Sequence, residues 1–426
     1  MIAQSVAGRG VPLAPLRHCL IPLSVHGRTL QGLLIVLAVA LAALPATAAP
    51  DPVELRGVWI VRTALVSPEA VDKVVDDAAS AGLNALFVQV RGRGDSFYRS
   101  ALAPRSPLLE RQPKEFDPLR RLLARARSRG LQVHAWVNVL LAAHFGQPLP
   151  RGHVLEKHPD WAMVPKSVAT AALVARGARR LELIAAAGRS EGDVEGYYLS
   201  PSLPGVAAHL EEVVREIVHA YPVDGLHFDF IRYPGPSFDY SHAALEGFRR
   251  ATGGSDPIAG PGQSPSAWDA WRRDVLTALT TRLADAARRE RPGLVLSAAV
   301  APDEAQAVNH KFQDWPAWVK AGVVSALCPM TYTADSRLFT QQLEAMRERN
   351  GAAQAMWAGI GAYRLDVAGI VEKVTLARRA GAQGVVLFSH ESLAPADLRQ
   401  LGRQVFGARL ASSGAASSET SAAGSK

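Results

Sequence analysis

The segment Asp224-Gly225-Leu226-His227-Phe228-Asp229 concentrates more chemistry than any other short stretch of the chain. His227 and Asp229 are two residues apart, so on a regular strand both side chains leave the same face. An imidazole and a carboxylate among hydrophobes are costly to bury unless they are paired or put to use. Asp229 therefore reads as a carboxylate that moves a proton or attacks a bond. His227, one layer deeper, reads as its orienting neighbour or a substrate-binding group, and Asp224 as a turn or structural hydrogen-bonding group. Other acids follow other β-rich runs: Asp95, Asp303, Glu304, Asp335 and Glu391. Paired carboxylates suit glycoside hydrolysis, in which one acid protonates the leaving oxygen and a second carboxylate serves as base or nucleophile. Glu391 and Asp303 are the foremost partners for Asp229, with Asp335 and Asp95 behind them.

Polar and aromatic groups follow the same strand ends: Arg62, Gln89, Arg91, Asp95, Trp136, Asn138, Arg232, Tyr233, Tyr332 and Tyr363. With His227 they form the expected substrate-binding set, since a sugar offers apolar ring faces and a fringe of hydroxyls. The arginines could equally hold protein carboxylates. A metal held by His134, His227, Asp229 and Asp303 is an alternative, but no His-x-His or His-Glu-x-x-His motif accompanies them. Neither a metal nor a cofactor is therefore expected. Arg91-Gly92-Arg93-Gly94-Asp95 is glycine-rich without the spacing of a dinucleotide or P-loop motif.

These groups need a scaffold that presents strand ends together. From Leu55 onward, short Val-, Ile- and Phe-rich runs alternate with amphipathic helices. The runs are 56–61, 85–90, 131–138, 224–229, 294–300, 323–328, 355–361 and 384–389. Helices are expected from Ser67-Pro68-Glu69 to before Gly82, over 118–129, 206–221, 268–289, 315–320 and 367–380, and from Pro395 to about Val405. Eight strand–helix repeats predict a (β/α)8 barrel with long loops after strands 3 and 4, at 139–205 and 231–267, and place the active face at the strand C-terminal ends. A doubly wound open sheet is the competing architecture. His158-Pro159-Asp160-Trp161 in the first loop offers an aromatic platform or simply packs the insert.

The chain has 426 residues, 48% hydrophobic and 20% charged, which is ordinary globular composition. Arg9, Arg17 and Arg28 precede an apolar run centred on Leu33–Leu44, and Ala46-Thr47-Ala48 closes it as a cleavage site. Residues 1–48 therefore read as a signal peptide, with an uncleaved membrane anchor as the alternative. Removing those three arginines lowers the formal net charge from +8 to +5. With no dense Lys/Arg block, no nucleic-acid partner is implied. Cys328 would be the sole cysteine left, so no internal disulfide forms. The barrel is expected over 51–408, and the Ser-, Ala- and Gly-rich 409–426 as a disordered tail.

Several motifs resemble the glycosyl hydrolase-like 10 family, also known as DUF187. They are Glu54-Leu55-Arg56-Gly57-Val58-Trp59, Val88-Gln89-Val90-Arg91 with Gly94-Asp95, His134-Ala135-Trp136-Val137-Asn138, His158-Pro159-Asp160-Trp161 and Leu199-Ser200-Pro201. Val223 to Pro234, Asp314-Trp315 and Pro329-Met330-Thr331-Tyr332 continue the likeness, which covers about 54–406. Some family members carry a second aspartate after the strand-four one; here Phe230 stands there, leaving Asp229 as the main candidate. The resemblance implies hydrolysis of a cell-envelope polysaccharide, and with the signal peptide it points to an exported enzyme, periplasmic, envelope-associated or secreted. Peptidoglycan strands stripped of their peptides are the foremost substrate and a partly deacetylated glucosamine polymer another. No obligate protein partner is implied. The alternatives are a glycan-binding barrel without chemistry and a metal-dependent deacetylase or hydrolase.

Overall fold

The computed structural model describes residues 53–407 except 193, 254–256 and 259–264, with side chains undescribed at 265 and 266. The expected signal peptide and tail lie outside the described residues. Ten strands occur in chain order: β1 (Leu55–Ile60), β2 (Ala85–Arg91), β3 (Gln132–Asn138), β4 (Leu141–Ala143), β5 (Tyr197–Tyr198), β6 (Gly225–Asp229), β7 (Val295–Val300), β8 (Ala326–Pro329), β9 (Ala355–Gly361) and β10 (Gly384–Phe388). Eight of them close a barrel in the order β1-β10-β9-β8-β7-β6-β3-β2. Its neighbouring strands are parallel, and Leu55 pairs with Gly384 where the first strand meets the last. This is the (β/α)8 architecture, not an open doubly wound sheet.

The helices form where the sequence punctuates them. Ser67 accepts the Ala70 backbone N–H at 3.2 Å, with Pro68 in the first turn of Pro68–Ser80. Val71, Val74, Val75 and Ala78 then make one buried stripe at helical spacing. Asp117 caps Pro118–Ser128 and also accepts the Tyr221 hydroxyl at 2.6 Å. Gly82 and Gly130, both with φ of 68°, turn the chain out of these two helices. The helix Ser336–Asn350, between β8 and β9, has no counterpart in the sequence reading. Its buried stripe is only Phe339, Leu343 and Met346, diluted by Arg, Gln and Glu.

Two apolar layers result. One lies between strands and helices, and the other fills the barrel, where Trp59, Phe87, Trp136, Cys328 and Trp357 meet. Each such ring, fully buried, contributes on the order of 1.5–3 kcal/mol or more through removal of apolar surface from water. Large rings need small neighbours. A Cβ at Gly225 would collide with the His134 ring, 2.1 Å from Nδ1, and that ring stacks on Phe87 with centroids 4.6 Å apart. Burial pushes the His134 imidazole down to about 4, so it fills the barrel as a neutral group. The closing seam is fastened by Arg378, which donates to both carboxylate oxygens of Glu54 at 2.6 and 2.9 Å.

Both long excursions are present. The first, after β3, holds helices Ala169–Val174 and Gly177–Arg189 and is clasped at its base by antiparallel pairing of β4 with β5. The second, after β6, holds His242–Thr252.

Candidate active site

β6 delivers Asp229 to the C-terminal mouth, in register with Asn138 on β3. The next residue, Phe230, has φ of 49°, sparsely populated for a residue with a side chain. That turn lets the Phe230 N–H donate to Asp229 Oδ1 at 2.6 Å, while Trp136 Nε1 donates to Oδ2 at 3.1 Å. Burial pushes the Asp229 carboxyl above the usual aspartate range. The nearby Arg232 charge and the two hydrogen bonds oppose the shift without cancelling it.

Beneath it, His227 is fully buried. Trp59 Nε1 donates to His227 Nε2 at 3.1 Å, which makes Nε2 the bare nitrogen. Nδ1 therefore carries the proton and faces Ser297 Oγ at 2.9 Å. Burial holds the ring neutral, with its pKa down to about 3. His227 thus supports the floor of the mouth.

A second carboxylate reaches the same mouth from the first excursion. Glu195 stands just before β5 and lines one cavity with Asp229. Arg232 Nη2 donates to Glu195 Oε1 at 3.2 Å, and the Tyr198 hydroxyl to Oε2 at 2.6 Å. Burial works to raise this carboxyl, but Arg232 and Tyr198 outweigh it and leave Glu195 below the usual glutamate range. Local folding fixes its place. A Cβ at Gly196 would collide with the Ala143 carbonyl oxygen of β4, so the chain can lie against that strand only with glycine beside Glu195. His144 Nδ1 also bonds the Glu195 carbonyl. The two acids of one cavity are thus pushed in opposite directions, the pattern that separates a proton donor from a base.

The cavity is about 420 Å³, with Trp59, Trp136, Phe230, Tyr332 and Phe388 as aromatic walls. Tyr332 stacks on Phe388 with centroids 5.3 Å apart, and the half-exposed Tyr363 stands edge-on to Tyr332 at 6.2 Å. Arg62, Gln89, Asn138 and Arg232 supply polar groups. Arg62 Nη1 donates to Gln89 Oε1 at 2.8 Å, and Asn138 Nδ2 to the Gly92 carbonyl at 2.8 Å.

The structure therefore gathers Asp229, Arg62, Gln89, Trp136, Asn138, Arg232 and Tyr332 around one space, and leaves other expected residues elsewhere. Glu391 is exposed and accepts the Val61 N–H at 2.9 Å. Asp303 caps Glu304–Asn309 by accepting the Gln306 N–H at 2.7 Å, and it lines a separate cavity of about 660 Å³ on the outer loops. Asp335 likewise caps a helix, and Glu304 pairs with Arg349. Arg91 is fully buried and donates to the Asn138 carbonyl at 2.6 Å. Tyr233 is buried edge-on to Phe312 at 5.2 Å. Asp95 lines an adjoining cavity, and Asp224 accepts the Val133 N–H at 2.8 Å as a structural group. Among the described residues, no three His, Cys, Asp or Glu side chains cluster as a metal set. Glu195 was missed because nothing near it repeats. Its one local mark is an acid followed by Gly196-Tyr197-Tyr198, a short strand in the first excursion.

Residues 54–366 match the model of the family described as glycosyl hydrolase-like 10. The chain belongs to that family. Membership makes it a glycoside hydrolase, with a polysaccharide as substrate class. Among curated relatives, Glycosyl hydrolase DigH of Escherichia coli (strain K12) is 24% identical over 329 residues, 69% of each chain. Glycosyl hydrolase YngK of Bacillus subtilis (strain 168) is 24% identical over 316 residues, 66% of this chain and 54% of the relative. Among solved structures, the PgaB (BpsB) glycoside hydrolase domain from Bordetella bronchiseptica is similar, with a TM-score of 0.62 at 16% identity. It is covered over 99% of its length, against 82% of this chain. The catalytic domain of a Paenibacillus polymyxa β-amylase aligns over 85% of this chain and 99% of its own, with a TM-score of 0.58 at 12% identity. These structural likenesses show the barrel fold alone.

Proposed function

We propose that the enzyme hydrolyses cell-envelope glycan, foremost peptidoglycan strands without their peptides, with Asp229 as general acid and Glu195 as general base or nucleophile. The observation that carries this reading is the pair itself: a buried carboxyl biased toward its protonated form and a carboxylate biased toward its ionised form, lining one aromatic-walled cavity at the barrel mouth. Asp229 would protonate the glycosidic oxygen as the C–O bond breaks. Glu195 would activate water or attack the anomeric carbon, and the separation of the two carboxyls sets which. Trp59, Trp136, Phe230, Tyr332 and Phe388 would take the apolar sugar faces. The basic, apolar and small-residue order of the first 48 residues supports export to the envelope.

The test is to incubate the full chain and its Asp229→Asn form with peptide-free strands and read soluble saccharides by mass spectrometry. Release by the wild type, lost in Asp229→Asn with unchanged circular dichroism, is the expected result. Equal release by both overturns the role of Asp229. Binding without release by the wild type would favour a glycan-binding barrel. The product ends separate hydrolysis from lytic cleavage.

A further inference from the structure

The glycines of Arg91-Gly92-Arg93-Gly94-Asp95 acquire a purpose in the fold. A Cβ at Gly92 would meet the Arg62 guanidinium, with Nη1 at 2.7 Å and Cζ at 3.0 Å. Gly94 has φ of 71°, and a Cβ there would land on the His153 ring. The loop can therefore lie flat on Arg62 and bring Arg93 to its side. Arg62, Arg93 and His144 line both the cavity that holds Asp229 and Glu195 and an adjoining cavity of about 350 Å³. The second space also has an apolar lining from Pro107, Leu108 and Pro148 to Pro150.

Both guanidiniums at this junction are hydrogen-bonded to neutral amides. Arg62 donates to the neutral Gln89 at 2.8 Å, and Arg93 to the neutral Gln147 at 2.9 Å. The single acid among the described residues lining the second cavity is Asp95, whose Oδ1 accepts the Arg93 backbone N–H at 3.2 Å. Burial and then repulsion from Arg62 push Arg93 down to about 10. Burial also lowers His144 and His153, so neither adds a lasting charge. Two guanidiniums on the wall shared by both cavities, each hydrogen-bonded to a neutral amide, match a planar anion supplied by a ligand.

We propose that Arg62 and Arg93 bind a carboxylate carried by the sugar unit next to the cleaved bond, so that the enzyme selects an acidic glycan. This rests on the proposed reading of the central cavity as the glycan-cleaving site. The chemistry is shared by an acid borne on an ether side arm of an amino sugar and by a uronic acid.

Equilibrium binding separates the arms. The full chain carrying Asp229→Asn is titrated calorimetrically with peptide-free strand fragments, with the same fragments after carbodiimide coupling of their carboxyls to methylamine, and with an oligouronate. Amidation should weaken binding about 10- to 100-fold, the range for a lost charge-assisted hydrogen bond. Adding Arg93→Gln should weaken the acidic fragments to a similar extent and leave the amidated ones unchanged. Gly92→Ala, which displaces Arg62 without altering any charge, should give an intermediate loss; the far exposed Arg179→Gln should give none. Oligouronate binding would identify the carboxylate alone as sufficient, and its absence beside tight strand binding the ether-borne acid. Equal binding of acidic and amidated fragments, an equal loss on both from Arg93→Gln, or no binding at all overturns the proposal. Discrimination between acids and amides in a protein whose wild type releases no saccharide would instead unseat the catalytic reading.

Discussion

Replacing Glu195 with glutamine keeps its size while removing its charge, and its proposed catalytic role and its pairing with Arg232 predict different losses. As the proposed base or nucleophile it lowers the barrier. General acid–base catalysis is worth roughly 10²–10⁴ in rate, or about 2.7–5.4 kcal/mol at about 1.36 kcal/mol per decade. As the partner of Arg232 it contributes to stability. That pair is 12% and 34% exposed, so solvent screens it, and a cost on the order of 1–2 kcal/mol is reasonable. For a barrel of this size such a loss lowers Tm by only about 1–3 °C, far too little to explain a hundredfold fall in rate at 25 °C. The pH profile supplies the remaining discrimination. The proposed mechanism needs Glu195 ionised and Asp229 protonated, so the wild type should show an acid limb set by Glu195 and an alkaline limb set by Asp229. In Glu195→Gln the acid limb disappears. The alkaline limb also moves to lower pH, because Glu195 raises the Asp229 carboxyl and Arg232 lowers it. The assay is kcat/KM on peptide-free strands across pH, beside a melting curve. A variant within tenfold of wild type with its acid limb intact would refute the assignment, as would a uniform loss that follows a collapse in Tm.

Gly225→Ala should destabilise the barrel by about 2 kcal/mol and reduce soluble yield, since the new methyl would lie 2.1 Å from His134 Nδ1; a melting point equal to wild type would show that the ring can move. Trp59→Phe leaves His227 Nε2 buried without its donor, costing about 1–3 kcal/mol, which urea unfolding should reveal and an unchanged midpoint would contradict. His134 and His227 have folded values of about 4 and about 3, below an unfolded value near 6.5. Their contribution is therefore complete above about 6.5 and is lost as pH falls, by about 1.4 kcal/mol per pH unit for each histidine, down to about 4 for His134 and about 3 for His227. His134→Leu should flatten that dependence by one proton, and an unaltered slope would count against a neutral His134.

The barrel was legible because its strands are buried on both faces and read as continuous apolar runs bounded by capped helices. Ser67-Pro68, Asp117-Pro118 and Gly82 mark boundaries that local chemistry dictates. The helix Ser336–Asn350 escaped notice because its three buried residues are outnumbered by polar ones. At the site, strand parity located Asp229, Trp136 and Asn138, whose positions follow from the two-residue repeat of a strand. It could not separate residues facing the cavity from residues merely near the mouth. Asp303 and Asp335 sit at strand ends but are committed to capping, and Arg91 is consumed by a backbone carbonyl. Glu195 was invisible to this reasoning because its position depends on where an excursion returns, a contact between residues about fifty apart in sequence.

That return has a consequence for how the protein can vary. Leu141 pairs with Tyr198 and Ala143 with Tyr197, while the Leu199 N–H donates to the Leu140 carbonyl and the Met163 N–H to the Tyr198 carbonyl. The excursion thus behaves like a purse drawn shut at its neck. Its helices can lengthen, shorten or be exchanged beyond Phe145, and the position of Glu195 relative to Asp229 is still set by the drawstring. The outer surface of the excursion and the placement of Glu195 at the mouth are therefore separable features of this barrel.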